Sequence, residues 1–457
     1  MVILGLIVLI SVNAVTPVKV GSNRLYTLLL STAIFFIPFE YLGKLELYNG
    51  YIAISPLSSS LLIVILFISL CCTVLSYDSI NSSIHQRFAA IQLLCSCGAM
   101  LLTEANHLIT FLLSIELQSF TAYLLVANGI QAGKGQINEL QQSAVSASIR
   151  YLILGATASS IILLAIGLLY SYTGVLDFTA LILVSEQSNM ELVAYTILFI
   201  GCAFKLGLAP LHQWTPDVYG SISNFTIAFV SIVPKIGVLS FFNLFLSEIV
   251  PISIVYLFTA LSLVIGSIGG IQQVQFRRLI AFSSITHMGY LTISASLLCS
   301  DYTFLIYILQ YAFTTIACLF AFEILNKGNQ EQGLISSLKS SLHILPAASL
   351  SLIALFFSLA GIPPFIGFFA KLEVFYALVA SDAYFLLLIA IITSTIGAFY
   401  YLRVIYFIIN NPIANTYTNQ KVHYQITGFL SVIVIVSLFV CLEANTLEQI
   451  LLLFTSA

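Results

Sequence analysis

The stretch that decides the fold reads Leu198-Phe199-Ile200-Gly201-Cys202-Ala203-Phe204-Lys205-Leu206-Gly207-Leu208-Ala209-Pro210. Lys205 lies inside an apolar run and is closely followed by Gly207 and Pro210. A charged side chain at the membrane centre costs about 2.5–3.5 kcal/mol on insertion scales, so it requires a partner or a water-filled path. Glycine and proline interrupt a membrane helix and free carbonyls that can hold the charge. We predict a broken membrane helix with a functional lysine; a lysine that reaches the membrane surface is the structural alternative.

The whole chain has the composition of a membrane protein. Its 457 residues are 60% hydrophobic and only 7% charged, whereas soluble domains have about 25% charged residues. A soluble enzyme, a nucleic-acid-binding protein and a disordered chain are excluded, because none of them can hide so much apolar surface. The apolar runs are long and continuous, unlike the alternating strands of a β-barrel. The predicted class is therefore an all-α polytopic membrane protein.

We predict about fourteen transmembrane helices, since a span requires about 20 apolar residues. Each loop takes the number of the span that it follows. The odd-numbered loops then hold nine basic residues and the even-numbered loops hold one. This positive-inside bias predicts that both termini face away from the cytoplasm or matrix. The predicted spans are 1–17, 25–42, 55–77, 88–103, 105–128, 144–172, 192–214, 221–247, 251–270, 276–298, 301–326, 346–377, 381–409 and 425–443.

Two spans carry similar interruptions. Span seven has the Lys205 motif quoted above, and span twelve reads Gly361-Ile362-Pro363-Pro364-x2-Gly367-x3-Lys371. The two spans cross in opposite senses, and Gly/Pro-interrupted helices at matching places in two halves are typical of inverted-repeat transporters. We predict two inverted five-helix repeats, each with a broken helix. The predicted division is residues 1–87 (N-terminal transmembrane helices), 88–250 (first repeat), 251–409 (second repeat) and 410–457 (C-terminal helix and tail).

Further ionisable residues lie inside predicted spans. Glu116 is eight to ten residues from either helix end, too far for its carboxylate to reach water. We favour a functional role for Glu116; a structural, hydrogen-bonded carboxyl group is the alternative. Lys235 follows Pro234 in mid-span, and Lys371 follows the Gly-Pro interruption; we favour proton transfer for both. His287 lies among hydroxyl residues and is either a packing residue or a proton relay. Because Glu116 and Lys205 are both costly alone, we expect them to pair, directly or through one or two waters.

Several kinds of site are not predicted. The eight cysteines form no Cys-x-x-Cys motif and lie mainly in apolar runs, so buried packing is their expected role. The sequence has no Walker loop, no dinucleotide-binding glycine motif and no His-Glu-x-x-His motif. The N-terminus has neither a basic n-region nor a clear cleavage site, so it is not a typical secretory signal. We therefore expect no cofactor in this chain and synthesis beside its membrane, in a bacterium or an organelle.

Together these residues resemble the mitochondrial NADH dehydrogenase subunit 2 family. The resemblance runs in order from about residue 55 to 409. The motifs that carry it are Glu116-Leu117-Gln118-Ser119, Phe204-Lys205-Leu206-Gly207, Ala209-Pro210-Leu211-His212-Gln213-Trp214-Thr215-Pro216-Asp217-Val218-Tyr219, Val233-Pro234-Lys235-Ile236, Arg277-Arg278-Leu279-Ile280-Ala281-Phe282-Ser283-Ser284-Ile285-Thr286-His287-Met288-Gly289-Tyr290 and Leu359-Ala360-Gly361-Ile362-Pro363-Pro364-x2-Gly367-Phe368-x2-Lys371.

The resemblance implies a proton-pumping, antiporter-like membrane subunit of respiratory complex I in the mitochondrial inner membrane. In that membrane the charge bias predicts that both termini face the intermembrane space. The apolar chain without an import signal favours organelle encoding. The resemblance also implies that Glu116 and Lys205 act as a coupled pair, with Lys235 as the connecting lysine. Lys371 would be the exit-side lysine, and His287 would lie on the central hydrophilic axis. The implied partners are the other complex I subunits, which bind NADH and ubiquinone, and the lipid bilayer. A cation/proton antiporter subunit and a non-pumping membrane scaffold remain alternatives.

Overall fold

The computed structural model describes residues 45–76, 82–128, 137–184, 189–296, 301–326, 333–339, 341–410 and 430–435. Predicted spans one and two lie outside these residues, and most of span fourteen does as well. The described chain is almost entirely helical, which confirms the predicted class. Eight of its helices are long and apolar enough to cross a membrane: Pro56–Val74, Leu108–Asn128, Ala144–Thr173, Asn189–Leu206, Asn224–Ile249, Ile252–Ile271, Asp301–Asn326 and Tyr384–Ile409. The count of fourteen and the inverted repeats stay predictions.

The chain forms two compact units. The described part of the first unit covers residues within 45–207 and 221–255. It begins with a hairpin, whose strands pair antiparallel with Leu45 opposite Ile54 and Leu47 opposite Ile52. Its elements up to residue 207 are β1 (Leu45–Leu47), β2 (Ile52–Ile54), α1 (Pro56–Ser76), α2 (Ser82–Thr103), α3 (Leu108–Asn128), α4 (Ile137–Thr173), α5 (Phe178–Val184) and α6 (Asn189–Leu206). Helix α7 (Trp214–Ser221) follows in the chain and lies mostly in the second unit. The first unit then continues with α8 (Asn224–Val230), α9 (Val233–Phe241), a π-helical turn (Phe242–Leu246) and α10 (Ser247–Ile249).

The second unit covers residues 208–220 and the described residues from 256 onward. Its helices pack mainly as the pairs α13 with α15, α15 with α17 and α13 with α16. Its elements are α7 (Trp214–Ser221) and α11 (Ile252–Ile271), which both lie mostly in it, α12 (Phe276–Ser296), α13 (Asp301–Asn326), a 3₁₀ turn (Ile335–Leu338), α14 (Ser341–Ile344), α15 (Pro346–Ala360), α16 (Ile366–Ala380) and α17 (Tyr384–Ile409).

The two predicted helix interruptions are confirmed. Helix α6 ends at Leu206, directly before Gly207, whose φ is 75°. Predicted span twelve is two helices, α15 and α16, separated by residues 361–365. Gly361 ends α15 in the left-handed region at φ 82°, a conformation that glycine adopts without the steric cost of a Cβ. Both interruptions contain a cis X-Pro bond, at Pro210 and at Pro364.

Predicted span eight is also interrupted, which the sequence did not predict. Residues Ser231 and Ile232 separate α8 from α9, and Pro234 stands in the first turn of α9. Proline suits this position because the first-turn N–H groups have no partner within the helix. The break places Lys235 in the first turn of a new segment rather than in the middle of a continuous helix.

Candidate functional site: buried lysines at helix interruptions

Lys205 stands in the last turn of α6, one residue before the helix ends. Its Nζ donates to the Ser119 hydroxyl at 2.7 Å, to the Tyr123 hydroxyl at 3.3 Å and to the Ser159 hydroxyl at 3.4 Å. These three hydroxyls come from the neighbouring helices α3 and α4. Oxygen acceptors from two neighbouring helices therefore hold the Lys205 ammonium inside the first unit.

Glu116 and Lys205 make no direct ion pair, so the direct form of the expected pairing is absent. Their charged atoms are more than the 4.0 Å of a salt bridge apart, although the carboxylate still acts electrostatically on the ammonium. Ser119, one turn after Glu116 on α3, supplies the shortest contact to Lys205 instead. One carboxylate oxygen of Glu116 is buried without a hydrogen-bond partner in the described structure. An indirect pairing through polar groups stays a prediction.

Lys235 is among the most deeply buried charged residues described, with only 2% of its surface exposed. It lies in the first turn of α9, and the preceding residue, Pro234, presents its carbonyl to Gln118 Nε2 at 2.6 Å. Gln118 belongs to the same helix as Glu116 and Ser119. The first unit therefore gathers Glu116, Lys205 and Lys235 around a single helix, α3.

Lys371 lies on α16 and caps the end of α15. Its Nζ donates to the carbonyls of Leu359 and Ala360, both at 2.9 Å. The N–H groups of Gly361 and Ile362 bind the carbonyls of Phe357 and Ser358. The last four carbonyls of a helix have no partner within it, so this arrangement satisfies all four. The negative end of the helix dipole also favours a cation here.

Lys371 lies beside the predicted helix interruption and is buried, with 8% of its surface exposed. That it faces a hydrated interior stays a prediction. Its Nζ also lies 5.8 Å from the centre of the Tyr290 ring, a distance at which cation–π attraction operates. Lys371 forms no ion pair with any described residue. Its positive charge is therefore balanced by main-chain carbonyls and an aromatic ring.

His287 lies on α12, a helix that is buried along nearly its whole length although it is rich in serine and threonine. Its Nδ1 is 3.0 Å from the Tyr307 hydroxyl, and its Nε2 is 3.4 Å from the Tyr401 hydroxyl. Both imidazole nitrogens thus have a phenolic partner. His287 therefore lies on a buried helix rich in hydroxyl groups, and its place on a central hydrophilic axis stays a prediction.

Sequence reasoning did not identify the hydroxyl groups around these charges. Ser119, Tyr123 and Ser159 around Lys205, and Tyr307 and Tyr401 around His287, come from distant parts of the chain. The only available signal was their spacing, because Ser119 and Tyr123 follow Glu116 on one helical face. No group of three or more His, Cys, Asp or Glu residues that could hold a metal occurs in the described ranges.

Broken helices with buried lysines define the class as an antiporter-like membrane subunit. The family model for the NADH:quinone oxidoreductase/Mrp antiporter transmembrane region matches residues 105–397. The chain belongs to this family, and the matched region contains every candidate residue discussed above.

Named relatives and solved structures agree with that assignment. NADH-ubiquinone oxidoreductase chain 2 of Rhizopus oryzae is 34% identical over 367 residues, which is 74% of this chain and 68% of the relative. NADH-quinone oxidoreductase subunit N 1 of Rhizobium meliloti is 33% identical over 380 residues, 79% and 77% of the two chains.

Among solved structures, a chain of respiratory complex I from Thermus thermophilus has a TM-score of 0.83 at 23% identity, covering 97% of this chain and 96% of that one. A chain of the Mrp complex from a Dietzia species has a TM-score of 0.83 at 18% identity, covering 99% and 95%. At these identities the two structures establish a common fold.

Proposed function

We propose that this chain is a proton-translocating subunit in the membrane arm of an NADH:quinone oxidoreductase. The observation that carries the proposal is Lys371, a buried ammonium held by two carbonyls at a helix break. Burial disfavours the charged form of the lysine, whereas the hydrogen bonds to the two carbonyls favour it. Because the two effects oppose each other, the group can lose its proton at modest cost. The Rhizopus and Rhizobium relatives are named as parts of that oxidoreductase. Quinone reduction, which takes place in other subunits, supplies the energy.

The charged residues would act in the order that the family resemblance implies. A change of charge in a neighbouring subunit alters the electrostatic hold of Glu116 on Lys205. Lys205 then releases its proton toward Lys235, and a proton leaves by way of Lys371. The three hydroxyls around Lys205 support this role, because they accept hydrogen bonds from the ammonium and can donate to the neutral amine.

The proposal extends to the location and organisation of the chain. Its partners are the other subunits of the complex and the lipid, and its site is the mitochondrial inner membrane. Both termini face the intermembrane space, and about fourteen spans cross the membrane. The two interruptions, after Leu206 and after Ala360, support an organisation in two inverted repeats, residues 88–250 and 251–409. Encoding by the organelle's own genome fits the long apolar segments.

Co-purification in a mild detergent tests the function. We expect the chain to purify with a flavin- and iron–sulfur-containing arm that oxidises NADH. Lys371→Met in the assembled complex should then reduce proton translocation coupled to NADH oxidation, since methionine keeps most of the length of the side chain but removes its charge. A complex with Lys371→Met that pumps protons at the wild-type rate would contradict the proposal.

A subunit of a multisubunit cation/proton antiporter is the second candidate, because the Mrp complex shares the fold at an equal TM-score. It would purify with membrane subunits alone and would show sodium-dependent proton exchange in vesicles. The same purification therefore separates the two functions.

A further inference from the structure

A chain of hydrogen-bonded hydroxyls passes through His287 inside the second unit. Ser283 Oγ bonds to the Tyr401 hydroxyl, which lies 3.4 Å from His287 Nε2. On the other side of the imidazole, Nδ1 lies 3.0 Å from the Tyr307 hydroxyl. Three helices contribute to this chain, namely α12 with Ser283 and His287, α13 with Tyr307, and α17 with Tyr401.

All four side chains are buried. Their exposed fractions are 1% for Ser283, 2% for His287, 0% for Tyr307 and 2% for Tyr401. Burying a polar side chain is favourable only when it is hydrogen-bonded, and apolar residues would fill the same volume at lower cost. A continuous line of hydroxyl and imidazole groups in an apolar interior is also the arrangement that proton transfer by exchange of hydrogen bonds requires.

We propose that Tyr307 and Tyr401 are proton-relay residues on either side of His287. This inference rests on the proposed proton-translocating function and adds two residues to it. It assigns a reacting role to phenolic hydroxyls that the sequence did not single out.

The relay conserves every proton. Initially the Tyr307 O–H donates to Nδ1, while Nε2–H donates to the Tyr401 oxygen and the Tyr401 O–H donates to Ser283 Oγ. When a proton reaches the Tyr307 oxygen, Tyr307 passes its own proton to Nδ1. The imidazolium then gives its Nε2 proton to Tyr401, and Tyr401 gives its proton to Ser283. Ser283 gives its own proton to a water molecule beyond the end of the chain.

One proton has entered and one has left, and the imidazole has changed tautomer. In the final state Nδ1–H donates to the Tyr307 oxygen, and Nε2 accepts from the Tyr401 O–H. Reorientation of the hydroxyls and of the ring, or transfer in the reverse direction, restores the first state. Neither phenol is left as a phenolate at any step, because each receives a proton as it gives one away.

Lys371 is connected to this chain through aromatic rings. Its Nζ lies over the Tyr290 ring, and the Tyr290 and Tyr307 rings stack with their centres 5.9 Å apart. A positive Lys371 therefore opposes a positive charge on His287, because the two like charges repel. The imidazolium intermediate forms more readily when Lys371 is neutral, so the state of the lysine controls the relay.

Tyrosine-to-phenylalanine variants of the assembled complex test the relay. Tyr307→Phe and Tyr401→Phe keep the rings and remove the hydroxyls. Positioned proton-transfer groups contribute about 10²–10⁴-fold to a rate, so we expect translocation coupled to NADH oxidation to fall at least about tenfold. The solvent deuterium isotope effect on translocation should also change, which a purely structural role of the hydroxyls would not produce.

Tyr311→Phe is the matched control. Tyr311 lies one turn after Tyr307 on α13, and its ring centre is 5.5 Å from that of His287, but its hydroxyl faces Ser284. We expect wild-type translocation from this variant. Wild-type rates in both Tyr307→Phe and Tyr401→Phe would overturn the relay.

Ser283 provides a second test if a tyrosine variant assembles poorly. Ser283→Ala removes the end of the chain and should slow translocation, whereas Ser283→Thr keeps a hydroxyl and should restore it. Equal, wild-type rates in both would overturn the relay. Lys371→Met tests the proposed function separately from the relay. If Lys371→Met abolishes pumping while the tyrosine and serine variants pump normally, the relay is refuted and the proposed function is not.

Discussion

Lys205 is half-buried and Lys371 is buried, and their ammonium groups are held in different ways. Three hydroxyls surround the ammonium of Lys205, whereas two main-chain carbonyls hold that of Lys371. A hydroxyl can accept a hydrogen bond from the charged amine and donate one to the neutral amine, but a carbonyl can only accept. The surroundings of Lys205 can therefore both accept hydrogen bonds from the amine and donate to it, while those of Lys371 can only accept.

Lys205→Met should leave assembly largely intact and abolish most coupled proton translocation. Ser119→Ala should have a smaller effect, because it removes one of the three hydrogen bonds to Lys205 and leaves the other two. A hydrogen bond to a charged group contributes about 1.5–3 kcal/mol, which is the upper limit of the expected loss of stabilisation. Both effects are measured as proton translocation per NADH oxidised in proteoliposomes.

The Glu116→Gln variant provides the coupling control. If Glu116 and Lys205 act as one unit, the double variant should lose much less than the sum of the two single losses. Strictly additive losses would show that the two residues act independently, and full coupled activity in either single variant would refute the proposed mechanism.

Gly155→Ala should disturb the Lys205 site without changing any group that binds the lysine. A Cβ at this position would stand 1.8 Å from the Tyr123 hydroxyl, which would have to move. Overpacking of this kind costs about 1–3 kcal/mol. Gly167→Ala, on the same helix with nothing within 4 Å of the new Cβ, is the control and should be neutral or stabilising. Thermal unfolding and translocation rates of the two variants should therefore differ clearly.

At the scale of elements, the break between α15 and α16 depends on Gly361. Gly361→Ala would place a side chain at φ 82° and a Cβ 2.9 Å from Lys371 Cδ. The left-handed conformation alone costs about 1–2 kcal/mol for such a residue. We expect lower thermal stability together with reduced translocation. Gly397→Ala, on α17 with its nearest contact at 3.7 Å, should preserve both.

The hairpin forms a small sheet-like contact with the segment before α3. Ala53 N–H binds the Glu104 carbonyl, Asn106 N–H binds the Tyr51 carbonyl, and the Tyr51 and His107 rings are 4.5 Å apart. His107 Nδ1 accepts from the Ile109 N–H, and its Nε2 lies 3.7 Å from Asp177. A protonated Nδ1 could no longer accept this bond.

This contact should weaken in acid. Burial lowers the pKa of His107 below its usual value, an effect that Asp177 opposes in part. The opened or unfolded state therefore binds the proton more tightly, so stability falls as the pH drops below about 6.5, the usual histidine pKa. Exchange of the Ala53 and Asn106 amides, corrected for intrinsic rates, should accelerate in that range. Glutamine does not titrate in this pH range, so His107→Gln should abolish the acceleration of amide exchange at low pH.

The sequence revealed two of the three helix interruptions because Gly and Pro stood beside a lysine. It did not reveal the break before α9, because a proline such as Pro234 is equally compatible with a kinked but continuous membrane helix. The hairpin was also missed, although Asn49-Gly50 between short apolar segments is a strong turn signal. Tyr48, Asn49 and Gly50 all have positive φ. Hydroxyl partners such as Ser159 and Tyr401 depend on helix rotation and packing, which a single sequence does not specify.

For the whole molecule, the nine-to-one charge bias predicts which ends of the helices share a side of the membrane. Lys339 follows predicted span eleven and Asp382 follows span twelve, and both side chains are exposed. Lys339→Cys should therefore react with an impermeant maleimide only from the matrix side, and Asp382→Cys only from the opposite side. The six described cysteines are buried, and the parent complex gives the background. Labelling of both variants from one side would contradict the span order.

The composition was enough to predict a helical membrane protein, because so few charges cannot cover a soluble surface. The exact number of spans depends on segments such as 1–42, where the hydropathy is high but the boundaries are weakly marked. The roles of buried charges depend on their neighbours, and the Glu116–Lys205 geometry illustrates this. Both residues were identifiable from their cost in the membrane, yet the groups that contact Lys205 were not.

The carbonyl cap on Lys371 has a consequence for selectivity among cations. A lysine paired with a carboxylate leaves an anion behind when its proton departs, and that anion can attract a sodium ion as well as favour the return of a proton. Lys371 has no such pair among the described residues, so its deprotonated state carries no net charge. A metal ion arriving there would lose its hydration shell and gain only partial charges in return. Position 371 should therefore exchange protons in a sodium-rich medium without competition from the metal.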